Sequence, residues 1–188
     1  MKVIYINGFN GGGPSAKIDA LEEAFPGNVI HEYVPARAVE ARDAIYKTIS
    51  KIDPVEEIVF VGTSLGGFWS AHFSHILAEK AVLLNPCLQP SVLLRKYIGQ
   101  EVDGRIWTEE DCDAYWALEP ALMNDGIPRI VLCEENDEVI PYQSVKEHLN
   151  LAGYYHAKFV VLPGGNHRFS NYPEMIAAID ELHFQEVC

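Results

Sequence analysis

The 188-residue sequence predicts an α/β fold in which a mostly parallel sheet of about six strands is covered by helices on both faces. Strand-like segments alternate with segments of helical periodicity along the whole chain, which is the order typical of parallel sheets. The strand-like segments are continuous apolar runs, as expected when both faces of a strand are buried. The length suits one domain, and we expect residues 1–188 to form it.

The first half of the chain contains three strand–helix units. Its strands are predicted over residues 2–7, 28–34 and 57–61. The first helix is predicted to begin near Pro14-Ser15 and to end before Pro26-Gly27, because proline and glycine there act as start and stop signals. Apolar residues recur at helical spacing from Ala38 onward, and Asp53-Pro54 is predicted to end this second helix. A third helix is predicted directly after Ser64.

The second half continues the alternation but contains one long insertion. Its strands are predicted over residues 81–84, 130–133 and 158–162, and its last helix over about 172–183. The insertion, at about residues 86–127, is rich in aromatic residues and is predicted to form two or three short helices. It follows the carboxyl end of a strand, where ligands bind in open parallel sheets. It is therefore expected either to line the site as a lid or acyl-binding wall, or only to cover the sheet edge.

Charge and composition exclude several classes of partner. The formal net charge of −13 opposes binding to phosphate backbones, so no nucleic-acid partner is expected. No apolar stretch reaches membrane-spanning length, and the N-terminus enters a strand without a signal-peptide pattern, so we expect a cytoplasmic protein. The cysteines show no metal-ligand or redox spacing and are interpreted as free thiols. They are Cys87, Cys112, Cys133 and Cys188. The sequence does not indicate an oligomeric state.

The segment Gly62-Thr63-Ser64-Leu65-Gly66 is the clearest functional signal. It follows the apolar run at residues 58–61 and precedes an amphipathic helix. A tight turn between a strand and a helix exposes the serine hydroxyl, and the flanking glycines allow close approach of neighbouring backbone. This context predicts that Ser64 is the nucleophile of a serine hydrolase.

A serine nucleophile needs a base, and His167 is the best candidate among seven histidines. It follows the last predicted strand, in a turn that contains Gly164-Gly165, which can bring the imidazole over the strand ends. The other six histidines are expected to be packed or solvent-facing. Of these, His72 and His75 have the spacing to share a metal, but no suitable third ligand follows, so no metal site is predicted.

The third member of the triad should be a carboxylate that orients the imidazole. Four acidic residues crowd the segment after the fifth predicted strand, namely Glu134, Glu135, Asp137 and Glu138. Asp137 is the first candidate for this carboxylate, since it lies at the turn before the next helix, and Glu135 is the second candidate. Most of the remaining charge is expected to be a solvated loop. The order Ser64, Asp137, His167 is the order of triads in α/β-hydrolases.

The oxyanion hole should consist of two backbone N–H groups that face the carbonyl oxygen as it becomes negative. The amide of Leu65 is one candidate, because it opens a helix whose dipole favours negative charge. The amide of Phe9, in the loop after the first strand, is the other.

Five segments together resemble the small bacterial YqiA-like esterases of the α/β-hydrolase superfamily. They are Tyr5-Ile6-Asn7-Gly8-Phe9, Gly62 to Phe68, Leu84-Asn85-Pro86, Asn136-Asp137-Glu138-Val139 and Gly164-Gly165-Asn166-His167. The resemblance spans nearly the whole chain and implies hydrolysis of carboxylic esters, with thioesters as a further substrate class, by the triad Ser64, Asp137 and His167 without a cofactor. Two positions depart from the pattern: such proteins usually have His at the position of Asn7 and often have Asp at the position of Asn166.

Other functions are also considered. The run Gly11-Gly12-Gly13-Pro14-Ser15-Ala16 formally matches a dinucleotide-binding pattern, with Glu32 at a suitable distance, but the motif does not follow the strand directly. An acyltransferase, or a non-catalytic ligand-binding protein with the same fold, is the closer alternative. The expected partner is a small-molecule ester or acyl substrate.

Overall fold

The computed structural model describes residues 1–11, 15–119, 126–151 and 157–184. Its strands are β1 (Lys2–Ile6), β2 (Val29–His31), β3 (Ile58–Thr63), β4 (Lys80–Leu84), β5 (Glu101–Val102), β6 (Arg105–Ile106), β7 (Arg129–Glu134) and β8 (Ala157–Leu162). Its α-helices are α1 (Ala16–Ala24), α2 (Ala38–Ile49), α3 (Leu65–Leu77), α4 (Pro90–Leu93), α5 (Glu109–Trp116), α6 (Tyr142–Leu151) and α7 (Tyr172–His183), and a 3-10 helix covers Leu94–Tyr97.

Six strands form one parallel sheet in the order β2-β1-β3-β4-β7-β8, which confirms the predicted fold class. The chain moves outward from β1 to β2 and then returns to place β3 on the other side of β1. The carboxyl ends of β1 and β3 therefore flank the point where the winding reverses. Parallel α/β sheets bind ligands in the crevice at this point.

Two apolar clusters cover the two faces of the sheet. Side chains of α1 and α7, such as Leu21 and Ile179, pack with Val59 and Val61 on one face. Side chains of α2, α3 and α6 pack on the other face, where Phe60 points. Because successive strand residues point to opposite faces, both clusters draw on the same strands. This explains why the strands are continuous apolar runs.

Helix α3 lies unusually close to the sheet because its first turn contains glycine. A Cβ at Gly66 would stand 2.0 Å from the carbonyl oxygen of Ile6, and a Cβ at Gly62 would stand 2.0 Å from the carbonyl oxygen of Gly66. No side chain fits at either position. The glycines therefore let α3 start directly against the ends of β1 and β3, which fixes the turn at Ser64.

Most strand bounds differ from the sequence prediction by one or two residues, and two elements end about three residues earlier than predicted. The second strand is shorter than predicted, since it ends at His31, and Val34 bonds instead to the side chain of Asn7. Helix α2 ends at Ile49, ahead of the predicted stop at Asp53-Pro54. Pro14, the predicted start signal of the first helix, lies outside the described residues, and the hydroxyl of Ser15 caps α1 by accepting from the amide of Ile18.

The insertion contains the predicted short helices and also a hairpin, β5–β6, that the sequence analysis missed. Its turn residues Asp103 and Gly104 both have positive φ, 52° and 73°, which matches the Asp-Gly signature of tight hairpins. Arg37 ties this hairpin to the main body by donating 3.0 Å hydrogen bonds to the carbonyls of Val102 and Ile106. Within the described ranges, no helix has the length and apolar character needed to cross a membrane.

Candidate active site

Ser64 occupies a strained turn between β3 and α3. Its φ of 55° and ψ of −117° are unfavourable for a residue with a Cβ, and such strain persists only where the surroundings hold it. The surroundings do so here: the Ser64 amide donates to Leu84, and its carbonyl accepts from the amides of Gly67 and Cys87, each at 2.9 Å. The side chain is thus presented at the carboxyl ends of the strands.

The structure brings Ser64, His167 and Asp137 together. The Nε2 of His167 lies 3.0 Å from the Oγ of Ser64, and its Nδ1 lies 3.0 Å and 2.9 Å from the two carboxylate oxygens of Asp137. With the ring proton on Nδ1, the imidazole donates to Asp137 and accepts the serine proton at Nε2. These three residues are separated by up to 103 positions in the sequence.

The carboxylate of Asp137 is buried and is held in place by backbone hydrogen bonds. Its side chain is only 1% exposed, and its Oδ1 also accepts 2.8 Å hydrogen bonds from the amides of Val139 and Ile140. Glu135, the second candidate for this role, is exposed to solvent. The turn that begins at Asp137 therefore selects between the two carboxylates.

Glu134 is the exception to the expected solvated loop, in which Glu135 and Glu138 are exposed. It is the last residue of β7 and is fully buried. Its carboxylate accepts hydrogen bonds from Asn166, Ser170 and Asn171, which flank His167 in the loop after β8. Burial by itself would raise the pKa of this carboxyl, but these hydrogen bonds outweigh it and lower the pKa. The available signal in the sequence is a carboxylate that directly continues an apolar strand.

Asn85 connects the same loop to the strand ends. It has φ 43° and is 1% exposed. Its Oδ1 accepts from the amide of Glu134 at 2.8 Å, and its Nδ2 donates to the carbonyls of Asn166 at 2.9 Å and His167 at 3.3 Å. The sequence analysis used Asn85 only as part of a family motif. The structure gives it a specific role, because it joins the end of β4 to the end of β7 and to the His167 loop.

The two predicted oxyanion-hole amides belong to residues that follow Ser64 and its neighbour Gly8. Leu65 opens α3 directly after the serine, and Phe9 follows Gly8, which lies against Ser64 from the end of β1. A Cβ at Gly8 would stand 3.2 Å from the carbonyl of Thr63 and 3.4 Å from the Cβ of Ser64. Within the described part of the chain, neither amide donates a hydrogen bond. Both are therefore available to an incoming oxygen.

Asn7 fixes the loop that contains Phe9. Its Nδ2 donates to the carbonyls of Gly8, Gly11 and Val34 at 3.0, 2.7 and 3.2 Å, and its Oδ1 accepts from the amide of Val34 at 3.0 Å. The sequence analysis noted Asn7 only as a departure from the family pattern. In the structure it joins the ends of the loop to the segment after β2.

A cavity of about 440 Å³ opens beside Ser64 and His167. Its apolar lining consists of Phe9, Ile18, Leu93, Leu94, Tyr97, Val139 and Ile140. The rings of Phe9 and Tyr97 stack with centroids 4.6 Å apart. The insertion thus supplies one wall of the cavity.

The polar part of the cavity contains His31 and several charged side chains. The charged ones are Lys17, Glu32, Lys96 and Arg168. The carboxylate of Glu32, which the sequence analysis named with the dinucleotide-binding pattern, accepts hydrogen bonds from Lys51 and Thr48. Residues 12–14 of the proposed dinucleotide motif lie outside the described residues. His31 was expected to be an ordinary strand-end residue, and its place in the cavity wall was missed.

The remaining histidines lie in other surroundings. His72 is 4% exposed among the rings of Phe68, Trp69 and Phe73, and burial lowers its pKa to about 4. His183 bonds to Glu57 at 2.8 Å. His156 lies outside the described residues.

The cysteines that the structure describes are buried free thiols, as the sequence predicted. They are Cys87, Cys112 and Cys133, whereas Cys188 lies outside the described range.

Comparisons with known proteins agree with this architecture. Est1E from Butyrivibrio proteoclasticus, solved with ferulic acid bound, is 18% identical with a TM-score of 0.71, over 96% of this chain and 87% of that chain. A monoacylglycerol lipase from Paleococcus ferrophilus is 16% identical with a TM-score of 0.68, over 95% and 92%. The esterase domain of a Rhodothermus marinus protein is 12% identical with a TM-score of 0.71, over 97% and 83%. At these identities the similarity concerns the fold.

The family comparison covers almost the whole chain. Residues 2–184 match the uncharacterised protein family UPF0227. This match and the fold together confirm the resemblance found in the five sequence segments. The chain belongs to the UPF0227 family, and its fold is that of the α/β-hydrolases.

Proposed function

We propose that this protein is a serine hydrolase that cleaves carboxylic esters or thioesters through an acyl-enzyme on Ser64. The observation that carries the proposal is the continuous hydrogen-bonded chain from the Ser64 hydroxyl through His167 to the buried Asp137. A hydroxyl is a weak nucleophile until a base removes its proton, and this arrangement supplies the base and the group that orients it.

The reaction follows from these contacts. Nε2 of His167 takes the proton as Oγ of Ser64 attacks the carbonyl carbon, and the Asp137 carboxylate stabilises the resulting imidazolium. The imidazolium then protonates the leaving alcohol or thiol as the tetrahedral intermediate collapses to the acyl-enzyme. The same Nε2 then takes a proton from water as the water oxygen attacks the acyl carbon. The second tetrahedral intermediate collapses to the carboxylic acid while the imidazolium returns the proton to the departing Oγ of Ser64. Atoms and charges balance without a cofactor.

The amides of Phe9 and Leu65 are proposed to bind the oxygen that becomes negative in both steps. Donors of this kind contribute about 3–4 kcal/mol each when they are held in place before the reaction. Two features support the assignment: Gly8 brings the first loop into contact with Ser64, and Leu65 begins a helix, whose N-terminal end favours negative charge.

The cavity supports a substrate with an apolar acyl or alcohol group. Its walls contain the stacked rings of Phe9 and Tyr97 and the aliphatic side chains of Leu93 and Leu94. Similar folds occur in proteins described as esterases and as a monoacylglycerol lipase. We infer that short and medium uncharged acyl esters suit this volume.

Labelling with a fluorophosphonate probe tests the proposal. The probe should modify Ser64 alone, as located by mass spectrometry, and Ser64→Ala should lose both labelling and hydrolysis of p-nitrophenyl butyrate. Ser50→Ala is the matched control, because Ser50 is exposed at the end of α2. Esterase activity that survives in Ser64→Ala with a native circular dichroism spectrum would refute the assignment.

Product analysis addresses the finer alternatives. Matched ester and thioester substrates with the same acyl group measure the preference for the leaving group. Added short-chain alcohols compete with water for the acyl-enzyme, so a dominant transesterification product would identify an acyltransferase rather than a hydrolase.

A further inference from the structure

We propose that Glu134 is a positioning residue that holds the His167 loop in the geometry needed for proton transfer. The inference rests on the proposed function, since the importance of the loop depends on His167 acting as the base. The side chain of Glu134 accepts its hydrogen bonds from Asn166, Ser170 and Asn171. It acts on the backbone at both sides of the histidine.

The carboxylate of Glu134 accepts hydrogen bonds from five donors. Its Oε2 accepts from the amide of Asn166 at 2.6 Å. Its Oε1 accepts from the amide and hydroxyl of Ser170 at 2.6 and 2.9 Å, and from the amide and side-chain nitrogen of Asn171 at 2.9 and 2.6 Å. Asn166 directly precedes His167 and Ser170 lies three residues after it. The histidine is therefore held on both sides by one side chain.

The negative charge is essential to this arrangement. Burying a polar group costs free energy of folding unless its hydrogen bonds are made, and burying a charged group costs more. Here both oxygens are occupied by donors, and at least one donor on each side of His167 is a backbone amide that cannot turn away. A glutamine amide would replace one acceptor oxygen with an N–H donor. One side of the loop would then face a donor instead of an acceptor.

Lys17 holds carbonyl groups of the same loop. The ammonium group of this residue, on α1, donates to the carbonyl of Arg168 and, at 3.4 Å, to the carbonyl of Phe169. The amides of this short loop thus meet a carboxylate while its carbonyls meet an ammonium group. The two opposite charges fix the direction of the backbone as well as its position.

The fit between the loop and Glu134 leaves no free space. Gly165 has φ 69°, and a Cβ at this position would stand 2.0 Å from the Cδ of Glu134. The backbone therefore passes directly against the carboxylate. We therefore expect the loop to shift when this side chain is shortened, because its closest packing partner is removed. A displacement of about 1 Å in a reacting group can lower the rate about 100-fold.

A graded series of variants tests the inference. We expect kcat for p-nitrophenyl butyrate to fall about 10-fold in Glu134→Gln and about 100-fold in Glu134→Ala, with KM within about twofold of wild type. The rate of fluorophosphonate labelling should fall in parallel. Glu135→Gln is the matched control, because it changes the neighbouring exposed carboxylate.

A second readout is independent of activity. Amide hydrogen exchange at Asn166, Ser170 and Asn171 should accelerate at least about 10-fold in Glu134→Gln, while the amides of β3 and β4 stay protected.

The kinetic and hydrogen-exchange results can each contradict the role proposed for Glu134. Unchanged kcat in both Glu134 variants, or unchanged exchange at the three loop amides, would overturn the inference. Faster exchange throughout the sheet would also overturn it, because Glu134 would then support the whole fold. If wild-type protein lacked hydrolysis and labelling, the proposed function would fail, whereas the exchange experiment would still measure the hold of Glu134 on the loop.

Discussion

Asn7 and Val34 are joined by a pair of hydrogen bonds in which the Asn7 side chain both accepts and donates. The Val34 amide donates to Oδ1 at 3.0 Å, and Nδ2 donates to the Val34 carbonyl at 3.2 Å. The same Nδ2 reaches the carbonyls of Gly8 and Gly11. The side chain at position 7 therefore determines where the loop with Phe9 lies relative to Ser64.

Asn7→Ala should reduce catalysis through this loop. Loss of the side-chain contacts frees the Phe9 amide from its place beside Ser64, and partial loss of an oxyanion donor should lower kcat about 10- to 100-fold. Steady-state kinetics with p-nitrophenyl butyrate measure the effect. Asn150→Ala, an exposed position on α6, serves as the control. A kcat equal to wild type would show that the loop keeps its position without Asn7.

Asp137→Asn should be more damaging than any change at Glu135. The amide cannot stabilise an imidazolium and favours the wrong tautomer of His167, so kcat should fall about 10³- to 10⁴-fold with little change in KM. Glu135→Gln should stay within about twofold of wild type, because that side chain is exposed. Equal losses in the two variants would contradict the assignment of the third triad member.

Gly66→Ala should destabilise the fold, because its Cβ would stand 2.0 Å from the carbonyl oxygen of Ile6. Separating α3 from β1 to relieve this contact should cost at least about 3 kcal/mol in the free energy of unfolding. Gly27→Ala is the control: it has φ 72° and open space around it, so only the left-handed backbone penalty of about 1–2 kcal/mol applies. Urea denaturation measures both. The prediction fails if Gly66→Ala is no less stable than Gly27→Ala.

His72 should make the protein less stable in mild acid. Burial, with smaller contributions from His75 and Arg42, lowers its pKa to about 4, below the ordinary 6.5. The unfolded chain then binds the proton first as pH falls, so the stability contribution is complete above pH 6.5 and is lost between pH 6.5 and 4. At pH 5 the loss is about 2 kcal/mol relative to pH 7.5.

Replacing His72 with phenylalanine checks this expectation. His72→Phe should flatten the fall in unfolding free energy between pH 7 and pH 5, measured by urea denaturation at each pH. His31→Gln, at an exposed side chain, should leave the slope as in wild type. An unchanged slope in His72→Phe would assign the acid sensitivity to other groups.

Tyr97→Ala should alter substrate preference rather than the chemical step. It removes the ring that stacks on Phe9 and widens the cavity at the insertion. We expect kcat/KM to fall several-fold for butyrate esters and to improve for longer acyl chains relative to butyrate. Trp116→Ala changes an exposed ring of the same insertion and should leave this ratio unchanged. A similar shift in both variants would indicate a general loosening of the insertion.

Local patterns were sufficient to predict most of the fold and to select Ser64, Asp137 and His167, which the structure brings together. Apolar runs located the six strands of the sheet because a strand buried on both faces requires them. The turn at Ser64 could be predicted because the serine and its two flanking glycines lie within one segment of five residues. The hairpin at Asp103-Gly104 could also have been read from its turn residues, but its strands have only two residues each and give no periodicity.

The sequence by itself determined the strand order along the chain, the elbow at Ser64 and the succession of Ser64, Asp137 and His167. Only the tertiary structure decided which other polar side chains support them. Asn7 meets Val34 across 27 residues, Glu134 meets Asn166 across 32, and Lys17 meets Arg168 across 151. Such contacts leave no periodic signal, because a hydrogen bond depends on where two distant segments meet and not on the residues beside either partner.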